Sequence, residues 1–164
     1  HDCPGDERIA LVRELDKNVS DKVRFGLFGT CSHPAISGSD YEEVLLSSAM
    51  ALSLNRREGW KWYSSDRIAH LMGRGILSFI SAKSGYQEFF KDGEDAVFFD
   101  SVEDLSEKVL YYAANSEKRK LVASSGRKKY HALFNAARVL RYIVDTVYDL
   151  PAAKEYEWSG EVYR

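Results

Sequence analysis

The residues best suited to chemistry lie between Trp60 and Asp100. Asp66 is a strong N-cap candidate for a short helix over 67–74, so free backbone N–H groups are expected to begin there. Arg67 stands in the first turn, where a guanidinium reinforces an anion site built from amides and the helix dipole. His70, one turn on and on the same side, either hydrogen-bonds a ligand or sits in the core bonded to backbone. Gly85, Tyr86 and Glu88 form a second cluster. A glycine before a short helical turn lets amides approach a phosphate closely, and a glutamate three residues later faces a ribose hydroxyl. Lys83 adds positive charge just before that glycine, and Gly29 and Asn55 end two earlier strands, where the loops of open α/β sheets carry function. Metal and nucleophile constellations are not evident. His1, His33, His70 and His131 lack metal-site spacing, and no nucleophile elbow, phosphate-binding P-loop or dinucleotide fingerprint is present. The GRG at 73–75 closes a helix instead of opening one, so Gly75 reads as a C-cap.

Those residues need a frame of alternating helices and strands. Residues 6–15 carry Ile9, Val12 and Leu15 on one helical face. Residues 23–28 (VRFGLF) read as a buried strand, followed by a Gly/Ser/Thr/Pro-rich loop over 29–39. Asp40 is placed to cap a helix over 41–48, and a second strand is expected over 49–54. A polar and aromatic loop fills 56–65, the helix 67–74 stops at Gly75, and 76–81 (ILSFIS) is a compact apolar strand. Residues 86–90 make a short helical turn, and 96–99 the last strand. Near-continuous apolar strands alternating with helices predict an α/β, Rossmann-like parallel sheet with helices on both faces. A C-terminal helical segment follows. Ser101 with Asp104 resembles a capping box opening a helix to residue 113. A basic helix spans 116–130, and a third over 131–150 is expected to bury Leu133, Phe134, Ala137, Leu140, Ile143 and Val147 before Pro151 ends it. The tail 151–164, with Tyr156, Trp158 and Tyr163, should pack on something.

Composition bounds the function. The 164 residues, 45% hydrophobic and 13% aromatic, suffice for one domain over 1–164 with a sizeable core. With 23 Lys+Arg against 25 Asp+Glu the net charge is -2, so no global field draws nucleic acid, and any anion site is local. Cys3 and Cys31 are too few for a disulfide scaffold, though the two could form one bridge; so low a count suits a reducing, cytoplasmic setting. No apolar run nears the roughly 18 residues of a membrane span. The basic helix (Lys118, Arg119, Lys120, Arg127, Lys128, Lys129) reads first as a solvated face, and next as a peripheral contact with the inner face of a membrane. Because the chain begins with His1, it reads as a processed product or a piece of something longer.

An ordered set of segments carries a resemblance. FGLFG at 25–29, ALSLNR at 51–56, SDRIAHLMGRGILSF at 65–79 and GYQEFFKDGEDAVFFD at 85–100, continuing to RKKY at 130, follow one another in family order. From roughly residue 8 to residue 147 the chain resembles the C-terminal half of a GT-B glycosyltransferase, in the group 1-like branch that includes spore-maturation-protein-like enzymes. The resemblance implies a Rossmann-like domain that binds a nucleotide-activated sugar as substrate, with no cofactor and no required metal. It also implies a partner, a separate N-terminal domain that binds the glycan, lipid-linked or protein acceptor, as in polysaccharide biosynthesis. Arg67 falls where the branch often has an arginine, Gly75 on the glycine after the helix, and Gly85 and Glu88 on the phosphate-side loop and ribose-side glutamate. Many retaining members carry two glutamates eight positions apart before that glycine, and here those positions hold Trp62 and His70.

On this reading Arg67, Lys83 and helix N-termini stabilise the departing diphosphate, because negative charge develops there. A chain of this length holds the donor domain alone and is not expected to turn over by itself. The competing reading is a non-catalytic, doubly wound binding or receiver-like module. A receiver needs clustered acids at strand ends, and this chain offers Asp100 at one but Gly29 and Asn55 at others.

Overall fold

The computed structural model of the chain describes residues 7–55, 60–63 and 66–161. Three strands, β1 (Met50–Ser53), β2 (Leu77–Ser81) and β3 (Val97–Phe99), form one parallel sheet in the order β1-β2-β3. Register is set by Met50 opposite Leu77 and Phe79 opposite Val97. Among the described residues six helices surround it: α1 (Glu7–Val19), α2 (Gly38–Ser47), α3 (Arg67–Arg74), α4 (Val102–Ala114), α5 (Ser116–Phe134) and α6 (Ala136–Val147). The expected α/β, Rossmann-like architecture is therefore what the chain adopts.

Strand pleating divides the core between two faces. Leu77, Phe79, Val97 and Phe99 point to one face and pack on Leu15 and Val19 of α1, Leu105 and Val109 of α4 and Val122 of α5. Ile80, Ala96 and Phe98 point to the other, against Ile68 and Met72 of α3 and half-buried Tyr130, Leu133 and Phe134 of α5. Residues 77–80 of β2 are all buried, which is why that strand reads as an unbroken apolar run. α1 is held to α4 by the Asn18 side-chain amide, which donates to Ser106 Oγ at 3.1 Å. Around Gly126 of α5 the packing leaves no room, since an added Cβ would lie 2.0 Å from the Asp95 carbonyl oxygen.

Several boundaries differ from the sequence-based expectation. Residues 24–28 run without ladder pairing, although half-buried Val23 and Phe25 still pack on the α1/α4 side. Gly26 gives a strand no side chain to pack, and Phe28 is 44% exposed. Asp40 lies inside the first turn of α2, whose N-cap position is Ser37, and makes no cap. The break expected after residue 130 falls instead at Asn135, whose side chain accepts from the Arg138 N–H at 2.9 Å and so starts α6. Half of the expected capping box is present: Ser101 Oγ accepts from Asp104 N–H, but the Asp104 carboxylate accepts from Asp100 N–H and not from Ser101 N–H.

The largest correction concerns α6. Its apolar stripe was expected to be buried, yet Leu140 is 62%, Ile143 50% and Val147 72% exposed, and Ala137 is exposed as well. The opposite face is covered, because the tail folds back on it. Tyr156 Oη donates to buried Asp145 at 3.0 Å, Trp158 stacks on Phe134 with centroids 5.3 Å apart, and Arg138 pairs with Glu157. Tyr156 and Trp158 of the tail thus pack on α5 and α6; Tyr163 lies outside the described residues, as do Cys3 and loop residues 56–59 and 64–65. Among the described residues no helix is long and apolar enough to cross a membrane.

Candidate functional site at the carboxyl edge of the sheet

Parallel strands deliver their C-terminal ends to one edge, and ligands in open α/β sheets bind there. β1 runs out at Ser53 into Leu54 and half-buried Asn55, and β2 at Ser81 into two 3-10 turns, Ala82–Ser84 and Tyr86–Glu88. α3 begins at this edge. Its side chains Ile68, Leu71 and Met72 are buried, which fixes the helix direction. Arg67 Nη1 donates to the Leu54 carbonyl oxygen at 3.1 Å, tying the first turn of α3 to the end of β1. Asp66 was expected to cap α3 and does not: it has helical φ/ψ of -51° and -20°, and its side chain accepts no cap hydrogen bond. The first turn of α3 thus takes no cap from Asp66 and carries the Arg67 guanidinium beside its amides.

The second cluster is arranged differently from the expectation. Gly85 has φ 75° and ψ 4°, the left-handed conformation glycine adopts without strain. The turn after it is a 3-10 turn of three residues, too short to present a helix N-terminus. Three amides here are already used: Gly85 N–H donates to Ala82 O, Tyr86 N–H to Ser84 Oγ and Glu88 N–H to Gly85 O. The loop is covered by residues 61 and 62. Trp62 N–H donates to Ser84 O at 2.8 Å, Trp62 Nε1 donates to Gly85 O at 3.3 Å, and Tyr86 Oη donates to Trp62 O at 3.2 Å. Lys61 Nζ sits 3.2 Å from Glu88 Oε1 and 4.3 Å from the Trp62 ring centroid.

Arg67, Asn55, Asp66, Gly85, Tyr86 and Glu88 thus belong to elements that meet at one edge, with Lys83 in the same turn. Three other candidates stand apart. Gly75 terminates α3 at the opposite edge, just before β2, where Gly75 N–H donates to Met72 O and Ile76 N–H to Leu71 O, a Schellman closure under the Arg127 side chain. Gly29 closes its own loop through a hydrogen bond to the Pro34 carbonyl. His70 leans against Tyr41, centroids 5.7 Å apart, and lines a shallow groove of about 460 Å³ with Gly73, Tyr130, His131 and Phe134. Its Nδ1 is buried and has no hydrogen-bond partner. Burial, with a smaller contribution from Tyr86, raises the phenol pKa of Tyr130 beside it.

Lys61 and Trp62 were not singled out as binding residues by sequence reasoning, although aromatics at 60, 62 and 63 ahead of a helix were the available signal. Asp95 was missed as well. It is buried and holds Lys129 Nζ and Ser125 Oγ at 2.8 and 2.7 Å. Burial pushes its carboxyl up, but hydrogen bonds from Lys129, Ser125 and the Lys91 N–H, with the Lys129 charge, carry it below the ordinary range. Basic α5 is partly consumed in this way. Lys129 holds Asp95, Lys120 holds Glu117, and Arg119 caps the Tyr112 and Ala113 carbonyls.

Neither a curated relative nor a solved structure matches the chain. A family described as glycosyl transferase-like matches residues 8–145, which takes in the sheet, the carboxyl edge and nearly all of α6. The chain belongs to that glycosyl transferase-like family.

Proposed function

We propose that this chain is the donor-binding half of a two-domain GT-B glycosyltransferase, of the spore-maturation-protein-like branch, and binds a nucleotide-activated sugar at the carboxyl edge of its sheet. The observation that carries the reading is the start of α3, with Arg67 in its first turn, set against the ends of β1 and β2. Family membership says that a glycosyl group is transferred. A nucleotide-sugar donor leaves a diphosphate, and developing negative charge is met by preorganised amides and a guanidinium at little reorganisation cost. Glu88 and the Gly85 turn lie on the same edge and suit the sugar-ring hydroxyls of the nucleoside. Arg67 and Lys83 face the diphosphate, and His70, one turn along α3, acts only through the groove it lines.

The second half of the reading concerns the acceptor. A cleft enzyme needs another domain of ordinary size, and the exposed stripe of α6 supports a place for it to pack. Titration of UDP, GDP and their sugars into the folded chain, followed by tryptophan fluorescence or amide shifts, tests the donor site. Saturable binding of one nucleotide, weakened at least about tenfold by Arg67→Ala, is the expected result. A folded chain that responds to none of them sinks the proposal.

A further inference from the structure

Trp62 and Lys61 form a unit whose geometry the donor site alone does not require. Trp62 is anchored on three sides, by its N–H on Ser84, its indole Nε1 on Gly85 and its carbonyl under Tyr86 Oη. It holds φ at 57°, a left-handed conformation costly for a bulky residue and tolerated where surrounding contacts enforce it. Its ring packs on Phe89, centroids 4.8 Å apart. Lys61, by contrast, reaches over this platform on a flexible stem with its side chain 45% exposed, and its ammonium engages both the aromatic ring and the Glu88 carboxylate.

A fixed aromatic face beside a carboxylate is the pair of partners a nucleoside asks for. The flat base stacks on the ring, and the ribose hydroxyls donate to the carboxylate. Both are occupied by the chain's own cation. We propose that Lys61 is a self-ligand: in the empty site its ammonium holds the Trp62 face and the Glu88 carboxylate, and a nucleoside diphosphate binds by displacing it. The inference rests on the donor-domain reading and adds to it the residue that stacks the base and the one that must leave. Trp62 is the platform and stays in place, held by three hydrogen bonds. Lys61 is the part that swings, because an ion pair with partners 45% and 54% exposed is weak and a cation over an exposed ring adds only modestly to it. The effect on affinity is graded and not all-or-none.

Calorimetric titration of UDP, GDP and inorganic pyrophosphate into the folded chain and its Lys61→Ala variant tests this. Lys61→Ala is expected to bind the preferred nucleoside diphosphate about three- to tenfold more tightly, the range that loss of a weak ion pair and a cation–π contact allows. Pyrophosphate, which has neither base nor ribose, is expected to show no gain. Lys61→Arg, which restores the cation, should return the affinity to that of the parent. Unchanged or weaker nucleoside diphosphate binding in Lys61→Ala, with saturable binding by the parent, overturns the self-ligand while leaving the donor site standing. An equal gain for pyrophosphate overturns it too. Failure of both proteins to bind any nucleotide removes the donor site and the self-ligand together.

Discussion

Asp95 shows what a single side chain can be asked to reveal. Its carboxylate is buried in a pocket that supplies Lys129 at 2.8 Å, Ser125 at 2.7 Å and the Lys91 N–H at 3.1 Å. Because the folded carboxyl titrates below the unfolded value of about 3.9, its contribution to stability is present above about pH 4 and disappears as pH falls through the folded value. Asp95→Asn keeps the shape and removes the charge. It should cost about 1–3 kcal/mol at pH 7 by urea denaturation, with the gap between parent and variant closing towards pH 3. An equal gap at both pH values would mean that packing, and not charge, is what Asp95 supplies. Legibility at this scale was uneven. Arg67 at a strand edge could be read from an Asp-Arg pair opening a short amphipathic helix. The pairing of Lys61 with Glu88 could not, because it joins two loops that meet only once β1 and β2 are side by side.

At the scale of elements, the three strands and the α3 stop at Gly75 were readable because apolar runs and a C′ glycine are local signals. The α5–α6 break was harder to see. Helical periodicity runs on from residue 116 to 147, and the only marker is Asn135, placed to cap the Arg138 N–H. Asn135→Ala removes that cap and should lower stability by about 1 kcal/mol, read as a fall in thermal midpoint of about 2–4 °C. No change in midpoint would show that the tail contacts at Trp158 and Glu157, and not the cap, hold α6 at its angle. The strand expected over 23–28 failed for a different reason. Its alternation was real, but alternation reports which side is covered and not whether a neighbouring strand is there to pair.

For the molecule as a whole, the pattern along α6 is the informative one. Ala136, Leu140, Ile143 and Val147 recur at spacings of 4, 3 and 4, the seam by which one helix receives another. Sequence periodicity picked out Leu140, Ile143 and Val147 of this seam and assigned them to the interior, because a period says that an apolar face exists and not what covers it. In this chain the tail takes the polar face and the seam looks outward. The double variant Ile143→Lys/Val147→Lys should therefore leave the folding stability of the chain within about 0.5 kcal/mol, whereas Phe90→Ala, at 0% exposure, should cost about 3–5 kcal/mol. Chemical denaturation of the two variants side by side decides it. A large loss in the lysine variant would show that the seam is already part of this fold.

The hydrogen bond from Asn18 to Ser106 joins residues 88 positions apart, and the buried Val12, Leu15 and Val19 of α1 rely on the same partnership with α4. On a ribosome adding roughly 5–20 residues per second, α1 emerges ahead of α4 and waits roughly 4–18 s before that partner has been made. Throughout that interval its apolar face lacks the α4 surface it packs on and has only the earlier strand residues to meet. α1 is thus a segment open to chaperone capture or misassociation during synthesis, and its residues must survive the wait as well as fill the finished core.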